Sequence, residues 1–104
     1  MIKFSKQQFE GKRLAIIVTE NELQVHFKLV ELLRLLFNMC DHGYIHEMYL
    51  RVFDEFPNTN YVTMGGLMAL ADLSPKRLLA QRLQYWALEL SWRVRTTNFS
   101  TLNK

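Results

Sequence analysis

The sequence predicts a mainly α fold, a compact bundle of about four helices. Apolar residues recur at helical spacing over most of the chain. Both prolines, Pro57 and Pro75, fall between these periodic stretches, where helices stop and start. The composition, 49% hydrophobic and 12% aromatic over 104 residues, is enough for one core. A chain of this size buries roughly 60–70% of its extended surface. No linker-like or low-complexity stretch divides it, so residues 1–104 read as a single domain with a frayed tail at 96–104.

Composition also bounds the function. The single cysteine, Cys40, has no internal partner for a disulfide and suits a reducing compartment. No stretch approaches the ~20 apolar residues of a membrane span. The first thirteen residues lack a signal peptide's apolar run. A cytoplasmic protein with no membrane role is expected. Net charge is +3, unevenly spread. Residues 14–74 are acidic, while 75–104 hold six bases and only Glu89 as an acid. A basic end on an acidic body points to an acidic or polyanionic partner, or to ends that attract the middle.

Along the chain, Ser5 with Gln8 has the spacing of a capping box for a short helix. Leu14, Ile16 and Val18 alternate, so 13–18 reads as a strand. Residues 20–41 carry competing patterns. Leu23, Val25 and Phe27 alternate as in a hairpin over 13–27. Thr19 with Glu22 is a capping box, and Val18 with Leu23 the matching staple. Val25, Leu29, Leu32, Leu33, Leu36 and Cys40 also share a helical face, so a helix over 20–41 is preferred. Gly43 can terminate it. Ile45, Met48, Tyr49, Val52, Phe53 and Phe56 then predict a helix over 44–55, ended by Pro57 and followed by the polar loop Asn58-Thr59-Asn60. Thr63 can cap a helix over 64–71. Gly65 and Gly66 in its first turn require either a close backbone approach or a later start. Ser74-Pro75 opens the last helix, 75–94.

That helix has two apolar stripes. Leu79, Leu83, Trp86, Leu90 and Val94 form one. Leu78, Tyr85, Leu88 and Trp92 form the other, nearly opposite. A surface helix needs only one. The second is either buried by the rest of the domain or a partner interface, with Tyr85, Leu88 and Trp92 as contact residues and a homodimer among the options. Aromatic side chains are favoured as interface anchors.

Lys76 and Arg77 sit in the first turn of the same helix, where the dipole disfavours cations by ~0.3–1 kcal/mol. They either bind phosphate, reach back to Asp72, or point into water. The segment LADLSPKRLLAQRL, residues 70–83, resembles the helix-turn-helix of bacterial transcription regulators. The resemblance implies DNA binding through Lys76, Arg77, Gln81 and Arg82; a regulator of this kind would add Arg93 and Arg95, further along the basic helix, as contacts to phosphates or bases. It departs from the pattern at Met68, Asp72 and Gln81.

Cys40, Asp41, His42, His46 and Glu47 cluster without the two ligand pairs of a zinc site. No glycine-rich phosphate loop, nucleophile elbow or carboxylate pair is present. The sequence therefore predicts no metal, no cofactor and no enzyme. It predicts a protein-binding regulatory module (adaptor, inhibitor or assembly chaperone), with a helix-turn-helix-like DNA-binding regulator as the alternative.

Overall fold

The N-terminal residues form strands rather than a capped helix. The computed structural model describes residues 2–38 and 45–96. Strand β1, Ile2–Phe9, pairs antiparallel with β2, Lys12–Thr19, in register from Ile2↔Thr19 to Phe9↔Lys12. Glu10 and Gly11, both at positive φ, make the two-residue turn between them. Turns of that backbone match the right-handed twist of a hairpin. Ser5 and Gln7 lie on one strand face and bond to each other, Gln7 Nε2 donating to Ser5 Oγ at 2.7 Å.

The helix expected over 20–41 is corrected to a strand followed by a short helix. β3, Gln24–Lys28, pairs with β2 through Ile16↔Phe27 and Thr19↔Gln24. The hairpin over 13–27, the less favoured reading, is the one adopted. Thr19 caps no helix. It anchors the turn, its carbonyl accepting from Leu23 N at 2.7 Å and its Oγ1 from Gln24 N at 3.3 Å. A threonine hydroxyl serves a turn as readily as a helix start. Helix α1 is confined to Leu29–Phe37, with Leu29, Leu32, Leu33 and Leu36 buried against the sheet. Burial of each leucine contributes about 1.5–3 kcal/mol.

The helix over 44–55 is likewise overturned. Glu47–Tyr49 is one 3-10 turn, followed by β4, Leu50–Phe53, and β5, Phe56–Val62. Asp54 and Glu55 are the turn between them. A register shift between Arg51 and Phe53 breaks strict alternation, which is why this strand does not show a period of two. Asn58-Thr59-Asn60 lies within β5. Pro57 falls between paired positions, where no ladder N–H is asked of it.

The fold of the described residues is therefore mixed: one five-stranded antiparallel sheet, in the order β1-β2-β3-β5-β4, with three α-helices, and not a four-helix bundle. Helices α2, Met64–Leu73, and α3, Arg77–Thr96, are close to the two helices expected there. All three helices pack with Leu14, Ile16, Val18, Val25, Phe27 and Val62 into one hydrophobic core.

The opposite sheet face is also closed. Ile17, His26 and Tyr61 point that way and are buried. Phe53, Phe56 and Phe4 cover them, with ring centroids 5.1 Å apart for His26 and Phe53 and 5.2 Å for Phe4 and Phe56. Phe4 and Phe56 come from strands separated by two others, which a flat sheet would hold about 14 Å apart. The sheet is thus strongly coiled, and the β4–β5 hairpin curls back over it. This is why β2 reads Leu-Ala-Ile-Ile-Val, apolar on both faces. Where β3 gives way to α1, Glu31 Oε1 accepts from Ala15 N at 2.8 Å, satisfying a β2 amide that has lost its partner strand.

Thr63 caps α2 as expected, its Oγ1 accepting from Gly66 N at 3.2 Å. Of the two explanations for Gly65 and Gly66, the close approach holds. A Cβ at Gly66 would meet Tyr49 Cβ and Val62 Cβ at 2.9 Å each, both fixed to backbone. At Gly65 it would meet the Tyr49 ring edge at 3.2 Å, which can yield. An alanine in a helix is ordinarily worth about 1 kcal/mol over glycine. Gly66→Ala should nevertheless destabilise by about 1–3 kcal/mol through overpacking, while Gly65→Ala stays within ~0.5 kcal/mol of wild type. Urea denaturation of the two variants checks this, and equal effects would refute the close approach.

A candidate docking face on helix α3

The 20 residues of α3 make a rod of about 30 Å. Ala80, Leu83, Ala87, Leu90 and Val94 form its inner face, all buried. Leu79 and Trp86 pack beside them, partly buried. Trp86 Nε1 donates to Gln8 O at 2.9 Å, and its ring leans on Phe9 and Phe27. These bonds tie α3 to the β1 end of the sheet and fix its rotation.

With that rotation fixed, the second stripe faces outward. Leu78 is 71% exposed, Tyr85 74%, Leu88 53% and Trp92 67%. Among the described residues nothing covers it. A groove beside the stripe, lined by Met68 and Asp72 of α2 and by Gln81, Gln84, Tyr85 and Leu88, widens the face. Gln84 Nε2 bridges its walls, donating to Met68 O at 3.2 Å and Asp72 Oδ1 at 3.0 Å. Leu73, also exposed, lies at the end of α2. Met68, Asp72 and Leu73 were not expected here. The only sequence signal for Met68 and Asp72 is their departure from the helix-turn-helix pattern.

The six polar residues expected to contact DNA do not converge. Lys76 Nζ donates to Leu35 O at 3.0 Å and Asn38 Oδ1 at 2.6 Å, at the C-terminus of α1. Arg77 Nη1 donates to Ala71 O, Asp72 O and Ser74 O at 3.0–3.1 Å, at the C-terminus of α2. Neither bonds the Asp72 carboxylate. Each cation sits against the negative end of a neighbouring helix, which offsets its poor position at the start of α3. Arg82 grips Glu10 of the β1–β2 turn, its Nη2 donating to Oε1 at 3.2 Å, and this hydrogen bond raises the arginine pKa. Gln81 is exposed on the groove. Arg93, also exposed, has an interaction of its own, and Arg95 lies elsewhere.

Arg95 lines a shallow cavity at the β3 edge with Ser91, Gln24, His26, Arg51 and Thr63. His26 Nδ1 lies 3.3 Å from Ile17 O, a carbonyl that accepts from it when Nδ1 bears the proton. Burial, and secondarily the Arg51 cation, lower the His26 pKa, more than its hydrogen bonds raise it.

Of the Cys40 cluster, Cys40, Asp41 and His42 lie outside the described residues. His46 Nδ1 accepts from Met48 N at 3.0 Å. Among the described residues no group of three potential ligands is placed to hold a metal ion, and no helix is long and apolar enough to cross a membrane. Comparisons of the chain with protein-family models, curated proteins and solved structures found no match.

A histidine held neutral by folding binds a proton more readily when unfolded. Its contribution to stability is therefore complete above the ordinary histidine pKa of about 6.5 and is lost as pH falls below it towards the folded value. Between pH 7.5 and 5.5 the loss from one such group is at most ~1.4 kcal/mol. His26→Gln should be less stable than wild type at pH 7.5 but fall less between those pH values. Equal pH slopes in urea titrations would show that His26 is not the group responsible.

Proposed function

We propose that this chain is a small non-enzymatic protein-binding module of the adaptor, inhibitor or assembly-chaperone kind, and that the outer face of α3 is its docking surface. The observation that carries this reading is the contiguous exposure of Leu78, Tyr85, Leu88 and Trp92 on one rigid helix. Single exposed apolar residues are ordinary, whereas a contiguous patch with aromatic anchors marks an interaction site. Tyr85 and Trp92 are the anchors, and Leu88 joins them to the groove. The internal engagement of Lys76, Arg77 and Arg82 supports this choice over the DNA-binding regulator, since phosphate contacts need side chains that can leave their present partners.

The test is a set of parallel measurements on wild type and Trp92→Glu. The variant should keep its melting temperature within a few degrees, because Trp92 lies outside the core. It should lose whatever protein the wild type binds, measured as solution mass for self-association and as specific capture for a different chain. Mixed-sequence duplex DNA is titrated alongside at low and moderate salt. Binding that falls steeply with salt and survives Trp92→Glu would favour the regulator. A folded Trp92→Glu that retains every wild-type protein partner would remove the docking face.

A further inference from the structure

The outer stripe has a symmetry that narrows the choice of partner. Leu78 and Trp92 stand seven residues either side of Tyr85. On one flank of the stripe, Arg82 precedes Tyr85 by three residues and Glu89 follows it by four. At 100° per residue both lie on the same side. From this arrangement we propose that the partner at this face is a second copy of the chain, paired α3 against α3 antiparallel about a two-fold axis at Tyr85. The inference rests on the docking face proposed above.

Under that axis Tyr85 stacks on the second copy's Tyr85, and Leu78 meets its Trp92. Antiparallel pairing brings like flanks together. Arg82 then stands within one residue's rise, about 1.5 Å, of the level of the second copy's Glu89, and the reciprocal pair forms by symmetry. Arg82 uses Nε and Nη2 on Glu10 and its side chain is 53% exposed, which leaves Nη1 to donate to the second carboxylate. A parallel pair would instead set this flank against that of Gln84, Ser91 and Arg95, where α3 itself offers no carboxylate to meet Arg82. The charges of α3 are thus complementary in the antiparallel orientation.

The area is sufficient. Aromatic side chains present about 150–250 Å² each, and Tyr85 and Trp92 leave 74% and 67% of themselves open. With Leu78 and Leu88 the patch is roughly 500 Å² per copy, or about 1,000 Å² for the pair. That is the lower bound for a specific interface, so the dimer is a weak, reversible one.

The test is sedimentation equilibrium of wild type, Glu89→Arg, Arg82→Glu, and a mixture of the two variants. Wild type should dimerise at micromolar concentration. Each variant alone sets two like-charge pairs across the axis and should self-associate at least about 10-fold more weakly. The mixture should recover the wild-type affinity, because the carboxylate introduced at position 82 of one variant then faces the guanidinium introduced at position 89 of the other. Glu89 is exposed and lies outside the core, so Glu89→Arg reports on pairing even where Arg82→Glu disturbs the contact with Glu10. A wild type that stays monomeric at millimolar concentration overturns self-association, while a different chain captured only with Trp92 intact would still uphold the docking face. A dimer that ignores the charge swap overturns the antiparallel register.

Discussion

Three helix ends meet at Ser74–Arg77, and the placement of the outer face of α3 depends on how their polar groups are satisfied. The last carbonyls of α1 and α2 have no partners within their own helices. Both ends carry partial negative charge and lie near each other. Ser74 Oγ donates to Leu36 O at 2.7 Å from a buried position. Lys76 answers Leu35 O, and Arg77 answers Ala71 O, Asp72 O and Ser74 O. Hydrogen bonds from charged donors contribute about 1.5–3 kcal/mol each, more than neutral ones. The start of α3 is thereby fixed to both other helices.

From that junction the path to the outer face of α3 is mechanical. Trp86 fixes α3 further along, on Gln8 O. Ala80 and Ala87, small and buried, let the helix lie close to its neighbours. Once Leu83, Leu90 and Val94 face inward, the helical repeat leaves Leu78, Tyr85 and Trp92 no option but solvent. The glycine approach at Gly66 does the same service at the other end of α2, seating its first turn between Tyr49 and Val62. A rigid helix that displays aromatic residues loses little conformational entropy when a partner covers it.

Much of this was legible in the residues, and the failures have identifiable causes. Both stripes of α3, the Thr63 cap and the boundary near Ser74-Pro75 follow from local periodicity and capping chemistry. The strands β3 and β4 escape a local reading because their apolar residues also satisfy a helical repeat. In β3 the alternation Leu23, Val25, Phe27 runs directly into the leucines of α1, so one continuous helix fits the pattern. In β4 and β5 a bulge and a two-residue turn shift the phase, and aromatic residues line a second sheet face that no single segment reveals. Five residues of β2 buried on two faces were the one local sign that the sheet is covered twice.

By itself the sequence determined which face of α3 is apolar twice over, which residues start α2, and where the α2–α3 turn falls, because these depend on contacts within a few residues. Tertiary structure decided the rest. It chose sheet over helix for residues 24–28 and 50–53, and sheet over loop for 58–60, because strand pairing joins residues far apart in the chain and its energy is invisible locally. It assigned Lys76 and Arg77 to the ends of other helices and Arg82 to Glu10, 72 residues away. It also decided that the second stripe stays in solvent, since only the rotation of α3 against the sheet determines which of two apolar faces the core accepts.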